Sequence, residues 1–126
     1  MKTLIIDDDN VMRRFIRKAA MGLGHEVSGC ADAEKGLEAY EKEKPSIIVL
    51  DWMLPGMDGL EFCRRVRRMD GGDRCFIIMV TARDTYEDLL TVLDAGANDY
   101  IAKPVELKAL KTRLTVAERI IARMGA

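Results

Sequence analysis

The stretch Ile47-Ile48-Val49-Leu50-Asp51-Trp52-Met53-Leu54-Pro55-Gly56-Met57-Asp58-Gly59 decides the fold. A short, unbroken apolar run reads as a strand buried on both faces, the kind a parallel sheet contains. Asp51 ends the run, and Pro55-Gly56 supplies a tight turn. Asp58, with Glu61 three residues on, opens a helix as N-cap and capping box.

The same unit recurs along the chain. Leu4-Ile5-Ile6 runs into Asp7-Asp8, Phe76-Ile77-Ile78-Met79-Val80 runs into Thr81, and Tyr100-Ile101 leads to Lys103. Strands are expected near residues 3–7, 26–30, 47–51, 76–80 and 98–101. Helix one should follow Asp9 or Asn10 and bury Val11, Phe15 and Ala19. Helix two, capped by Asp32, should bury Ala33, Leu37 and Tyr40. Helix four is expected behind Asp84 with Glu87 and should end at Gly96; helix five is expected to start at Pro104. Strands alternating with helices imply an α/β fold with a parallel sheet covered on both faces.

In such a sheet the carboxyl ends of the strands form the ligand crevice. Asp7, Asp8, Asp51, Thr81 and Lys103 should therefore meet in one pocket. Crowded carboxylates repel one another, and a hard divalent cation relieves that repulsion. Asp51 interrupts an apolar run and is the candidate nucleophile, because a carboxylate attacking phosphorus gives an acyl phosphate. Lys103 would neutralise phosphoryl charge and Thr81 would donate a hydrogen bond.

With 126 residues the chain is one domain, and no linker or second domain interrupts residues 1–126. A net charge of −1 gives no general pull toward nucleic acid or anionic membrane. No stretch approaches the ~20 apolar residues a membrane span needs. Cys30, Cys63 and Cys75 are unclustered and read as core thiols in a reducing cytoplasm. His25, the one histidine, opens a strand and reads as structural. Helix five carries Leu107, Leu110, Leu114, Ala117, Ile121 and Met124 at heptad spacing. Its second half, within 116–126, is expected to project toward a dimer partner or another domain.

Taken in order, Asp7-Asp8, Asp51 with Met53-Leu54-Pro55-Gly56-Met57-Asp58-Gly59, Thr81-Ala82, Gly96-Ala97-Asn98-Asp99-Tyr100 and Lys103-Pro104 carry a resemblance. The chain resembles a receiver domain of the two-component response-regulator family from Met1 to about residue 120. The resemblance implies a flavodoxin-like doubly wound sheet of order 2-1-3-4-5 with five helices. It implies a signalling phosphoacceptor, not a turnover enzyme: Asp51 accepts a phosphoryl group from the phosphohistidine of a sensor histidine kinase or phosphotransfer protein, then loses it slowly by self-hydrolysis. Mg²⁺, with Mn²⁺ able to substitute, would be held by Asp8, Asp51 and the Met53 carbonyl, with Asp7 acting largely through water. Thr81 and Tyr100 would form the switch pair, moving the face made by helix four, strand five and helix five. That face is the one offered to a homodimer partner or to an output domain beyond residue 126. The surface of helix one, with Arg13, Arg14 and the neighbours of Phe15, would help choose the kinase. The Lys103-Pro104 bond is often cis in the family. Met53 and Arg83 would flank the attacking water, and their residue types imply slow self-hydrolysis.

Three other readings compete. Asp7-Asp8-Asp9-Asn10-Val11 matches the nucleophile motif of haloacid-dehalogenase-like phosphatases, with Asp7 as nucleophile, and Asp94 to Asp99 imitates their later acidic motif. That reading leaves Asp51 and its Pro-Gly loop unexplained and lacks a cap insertion. A receiver-like binding module that works without phosphorylation would not need all the key positions filled. Direct nucleic-acid binding would draw on Arg13, Arg14 and Arg17 and on Arg64, Arg65, Arg67 and Arg68, but no aromatic residues interleave them. A solvated or partner-facing basic surface accounts for them better.

Overall fold

The computed structural model describes residues 1–124. Strand and helix alternate: β1 (Lys2–Ile6), α1 (Asn10–Gly22), β2 (Glu26–Cys30), α2 (Ala33–Glu43), β3 (Ile47–Leu50), α3 (Gly59–Arg68), β4 (Phe76–Thr81), α4 (Tyr86–Asp94), β5 (Asp99–Ala102) and α5 (Leu107–Met124). All neighbouring strands pair parallel, in the order β2-β1-β3-β4-β5. That is the doubly wound α/β order, with the switch point between β1 and β3.

Residue alternation along the central strands divides the core. Leu4, Ile6, Ile48, Leu50, Ile77 and Met79 point to one face, where α2, α3 and α4 cover them with Tyr40, Phe62, Cys63, Val66 and Val92. Ile5, Ile47, Val49, Ile78 and Val80 point to the other, under Ile16, Ala19 and Ala20 of α1 and Leu110, Leu114 and Ala117 of α5. This period of two converts an unbroken apolar run into two packed layers.

Several helix details differ from the sequence reading. Val11 is 71% exposed; α1 buries Ile16, Ala19 and Ala20, with Met12 and Phe15 partly covered. Two apolar stripes about 100° apart both fit α1's sequence, and the one centred on Ile16 faces the sheet. Asp58 does cap α3, accepting from Glu61 N at 2.9 Å. The Glu61 carboxylate turns to Arg65 at 2.9 Å and leaves the capping box half made. Thr85, not Asp84, caps α4 and makes the reciprocal box with Asp88. Gly96 lies just past the helix, at φ +117°.

Helix α5 begins at Leu107, not Pro104. Val105 packs into the core first, and the carbonyl of Glu106 accepts the first helical bond, from Leu110 N at 3.0 Å. Farther along, Ala117 is fully buried and Ile121 packs on the same core. Glu118 reaches Nε2 of the buried His25 at 2.6 Å, while Nδ1 of His25 meets Thr3 Oγ1 at 2.8 Å. The helix therefore stays on the domain well into its second half. Residues 125–126 of the expected projection lie outside the described residues.

Candidate functional site at the carboxyl edge of the sheet

Strand register brings the expected residues together. Ile6 pairs with Leu50, so Asp7 and Asp51 leave neighbouring strands side by side. Each turns out of the ladder one residue past the strand, with Asp51 N bonded to Ile6 O at 2.9 Å and Asp7 N to Cys30 O at 3.1 Å. Thr81 pairs with Ala102, and Lys103 follows, its N–H donating to Thr81 O at 2.8 Å. The Lys103-Pro104 bond is cis.

From that position Lys103 Nζ donates to Asp51 Oδ2 at 2.9 Å and to Asp7 Oδ2 at 3.1 Å. Asp7 Oδ1 accepts from Asp9 N at 2.9 Å, and its backbone carbonyl accepts from Arg13 Nη1 at 2.6 Å. Asp7 is 1% exposed and Asp51 7%, whereas Asp8 faces solvent. Burial pushes the Asp7 carboxyl above its ordinary pKa, although Asp9 N–H and Lys103 oppose the shift. Burial also works against the Lys103 charge, but the bonds to Asp51 and Asp7 outweigh it and hold its pKa above the ordinary lysine value. Oxygens of Asp7, Asp8 and Asp51 lie within 4.8 Å of one another. Three hard oxygen donors, one of them open to water, fit a small divalent cation.

The loop after β3 is shaped to hold Asp51. Met53 N donates to Asp51 Oδ1 at 3.3 Å, and Gly59 N donates to Trp52 O at 2.9 Å. Gly56 takes φ +74°, a conformation costly for any residue with a Cβ. A Cβ on Gly59 would run into the Asp51 carbonyl oxygen and lie 2.8 Å from Trp52 Cα. The first residue of α3 therefore backs directly onto the backbone of Asp51.

Thr81 is fully buried, and its Oγ1 accepts from Arg83 N at 3.4 Å. The Tyr100 ring turns its hydroxyl inward, where the oxygen is buried without a hydrogen-bond partner. Burial, then Asp84 and Asp88, raise its pKa. The structure thus brings Asp7, Asp8, Asp51 and Lys103 together, with Thr81 beside them on β4 and Tyr100 one strand away. Met53 is 57% exposed at the rim of the site. Arg83 does not lie free: its guanidinium is 4.0 Å from the centroid of the Trp52 ring and 3.0 Å from Asp88.

Two residues escaped the sequence reading. Asp88 looked like an ordinary helix residue, yet it pairs with Arg83. Arg67 looked like part of a solvated basic face, yet it donates to the carbonyls of Gly96, Gly72 and Cys75 and to Asn98 Oδ1, all within 2.6–2.8 Å. Arg83 and Asp88 are close in sequence but meet across the turn into α4, and Arg67 reaches Gly96 and Asn98 beyond α4, so no helix or strand periodicity announced either contact.

The sequence matches the family model of the response regulator receiver domain over residues 3–115. The chain belongs to that family. Among curated receiver-containing proteins, transcriptional regulatory protein AfsQ1 of Streptomyces coelicolor is 40% identical over 116 residues, covering 92% of this chain and 50% of that protein. Response regulator MprA of Mycobacterium leprae is 39% identical over 114 residues, covering 90% of this chain and 49% of that protein. The chain thus spans about half the length of the curated relatives it matches. A CheY-like receiver domain from Methanospirillum hungatei superposes with TM-score 0.89 at 29% identity, covering 98% of this chain and 97% of that one. The BeF3-activated receiver domain of Klebsiella pneumoniae RstA gives 0.85 at 29% identity, covering 94% and 99%. The receiver assignment accounts for Asp51 and its loop and displaces the phosphatase reading. Asp94, which that reading needed after a strand, is the last residue of α4. Among the described residues, no helix is long and apolar enough to cross a membrane.

Proposed function

We propose that this receiver domain takes a phosphoryl group onto Asp51 from the phosphohistidine of a partner kinase or phosphotransfer protein. The observation that carries the reading is the Lys103 ammonium, which bridges Asp51 and Asp7 at the mouth of the sheet. A carboxylate oxygen of Asp51 attacks phosphorus, the P–N bond breaks, and its electron pair returns to the imidazole nitrogen. Asp51 is buried and oriented by Met53 N–H and Lys103, so little reorganisation precedes attack. Lys103 then exchanges carboxylate contacts for the incoming phosphoryl oxygens, where a fixed cation stabilises developing charge.

Asp8, Asp51 and the Met53 carbonyl would hold Mg²⁺, with Asp7 helping through water. When bound, the metal supplies charge neutralisation on the phosphoryl oxygens. Thr81 would donate its hydroxyl to the phosphoryl group in place of its contact with Arg83 N, and Tyr100 would fill the space behind it. The affected face is α4, β5 and α5, offered to a second copy or to an output domain beyond residue 126. The relatives' greater length supports the latter, and the name of AfsQ1 points to transcription as the output.

Intact mass after incubation with acetyl phosphate tests the reading. A Mg²⁺-dependent gain of one phosphoryl group in wild type, absent from Asp51→Asn, is expected. No gain with acetyl phosphate or with a phosphorylated kinase would overturn it in favour of a receiver-like binding module.

A further inference from the structure

Arg83 joins three segments of the chain through one side chain. Its guanidinium stacks on Trp52, which directly follows Asp51, at 4.0 Å from the ring centroid. Its Nη2 lies 3.0 Å from Oδ1 of Asp88, in the first turn of α4. Its own backbone N–H donates to Thr81 Oγ1 at 3.4 Å. The other carboxyl oxygen of Asp88 accepts from Thr85 N at 3.3 Å and completes the cap of α4. The loop after β3, the end of β4 and the start of α4 are therefore tied by one cation.

We propose that Arg83 is an exchangeable latch between the acceptor and α4. Without a phosphoryl group it rests on Trp52 and Asp88. A phosphoryl group on Asp51 draws the guanidinium toward itself, and the first turn of α4 loses its charged partner. This rests on Asp51 being the acceptor. The exchange follows from charge and shape. A phosphoryl group carries about two negative charges against one on Asp88, and its oxygens match the planar guanidinium fork. Trp52 directly follows Asp51 in the chain, so a guanidinium already stacked on its ring starts its exchange from a residue joined to the acceptor. Once over the phosphoryl group, Arg83 also screens it from water. Asp88 then has a role although it never touches the acceptor: it is a positioning residue that competes for Arg83.

The test uses Asp88→Asn, Arg83→Ala and the double variant. The side-chain amide in Asp88→Asn keeps an oxygen for Thr85 N–H, so the cap of α4 survives the loss of charge. After acetyl phosphate is removed, intact mass follows the decay of phosphorylated protein. Asp88→Asn should lengthen the lifetime roughly two- to fivefold, the size of coupling common between contacting charged groups. Arg83→Ala should shorten it, and adding Asp88→Asn to Arg83→Ala should change nothing. Trp52 is the only tryptophan, so its emission reports the stacked cation. Emission should shift on phosphorylation in wild type and shift much less in Arg83→Ala. Equal effects of Asp88→Asn with and without Arg83, or equal emission shifts in wild type and Arg83→Ala, overturn the latch alone. A wild type that never gains mass overturns the acceptor reading and the latch with it.

Discussion

Tyr100 holds a hydroxyl in a place where no partner meets it. A buried polar group without a hydrogen bond costs about 1–3 kcal/mol. Removing the oxygen while keeping the ring should relieve that cost. Tyr100→Phe is expected to raise the urea midpoint by an amount equivalent to about 1 kcal/mol, with m unchanged. A fall in midpoint would mean that the hydroxyl has a partner in solution. Asp7 is a second residue whose present environment does not favour its charge, because burial raises its pKa above the ordinary aspartate value. For a carboxyl shifted upward, the folded state binds the proton more tightly than the unfolded state does. The cost of its charge is therefore absent at low pH and sets in as pH rises through the ordinary aspartate range. Asp7→Asn should stabilise the metal-free protein by on the order of 1 kcal/mol near pH 7. The gain should shrink below about pH 4, where wild-type Asp7 is protonated as well. Lys103 works in the opposite direction. Its raised pKa adds stability that is fully present below the ordinary lysine pKa and lost as pH climbs above it. Denaturant titrations of both proteins across pH check the two signs together.

At the scale of elements, the join between the loop after β3 and α3 leaves no room for a side chain. Gly59 is the first residue of α3, and a Cβ there collides with backbone, which cannot rotate away. Gly59→Ala should therefore push Asp51 and Trp52 out of register with β1. It is expected to cost about 1–3 kcal/mol and to weaken Mg²⁺ binding at the same time. Unfolding curves and a Mg²⁺ titration of Trp52 emission check this, and unchanged Mg²⁺ affinity would separate the loop from the site. The elements themselves were legible because their signals are local. Ile47 to Leu50 and Phe76 to Val80 are short apolar runs with polar ends, and Asp32 and Asp58 cap the helices they precede. Signals failed where two local choices were equally good. Val11 heads one helical stripe and Met12 the next, and only packing on the sheet selected the second, centred on Ile16. The sequence reading puts the cap of α4 at Asp84, and the adjacent Thr85 takes it through its reciprocal bond with Asp88. The gathering of Asp7, Asp8, Asp51 and Lys103 was legible because strand ends converge in this topology. The Trp52, Arg83 and Asp88 contact was not, because it depends on side-chain reach between loops.

At the scale of the molecule, the two ends of the sheet differ in what holds them. The carboxyl end gathers the charged site, while near the amino end His25 ties β1 to α5 through Thr3 and Glu118. Helix α5 is therefore fixed to the layer of α1, and its other flank faces α4 across β5. Both helices leave apolar side chains in solvent. Leu90 and Leu93 of α4 and Val116 and Ile120 of α5 are all exposed. Asp99 of β5 and Arg113 of α5 pair beside them at 3.2 Å, with the Arg113 side chain 51% exposed. Apolar residues rimmed by an accessible ion pair are what an interface between protein surfaces presents. On the proposed reading a second copy would meet this face, since each copy supplies both the apolar residues and both charges that a two-fold contact needs. The release of α4's first turn by phosphorylation would act on one wall of it. Light scattering should then show a monomer without phosphoryl donor and a shift toward dimer with acetyl phosphate and Mg²⁺. Leu93→Arg should abolish the shift while leaving the phosphoryl gain at Asp51 intact, because Leu93 lies on the solvent side of α4 and its replacement should change stability by no more than about 0.5 kcal/mol. Dimerisation that survives Leu93→Arg would place the contact on another face. A phosphorylated protein that stays monomeric at every concentration would leave this flank to an output domain.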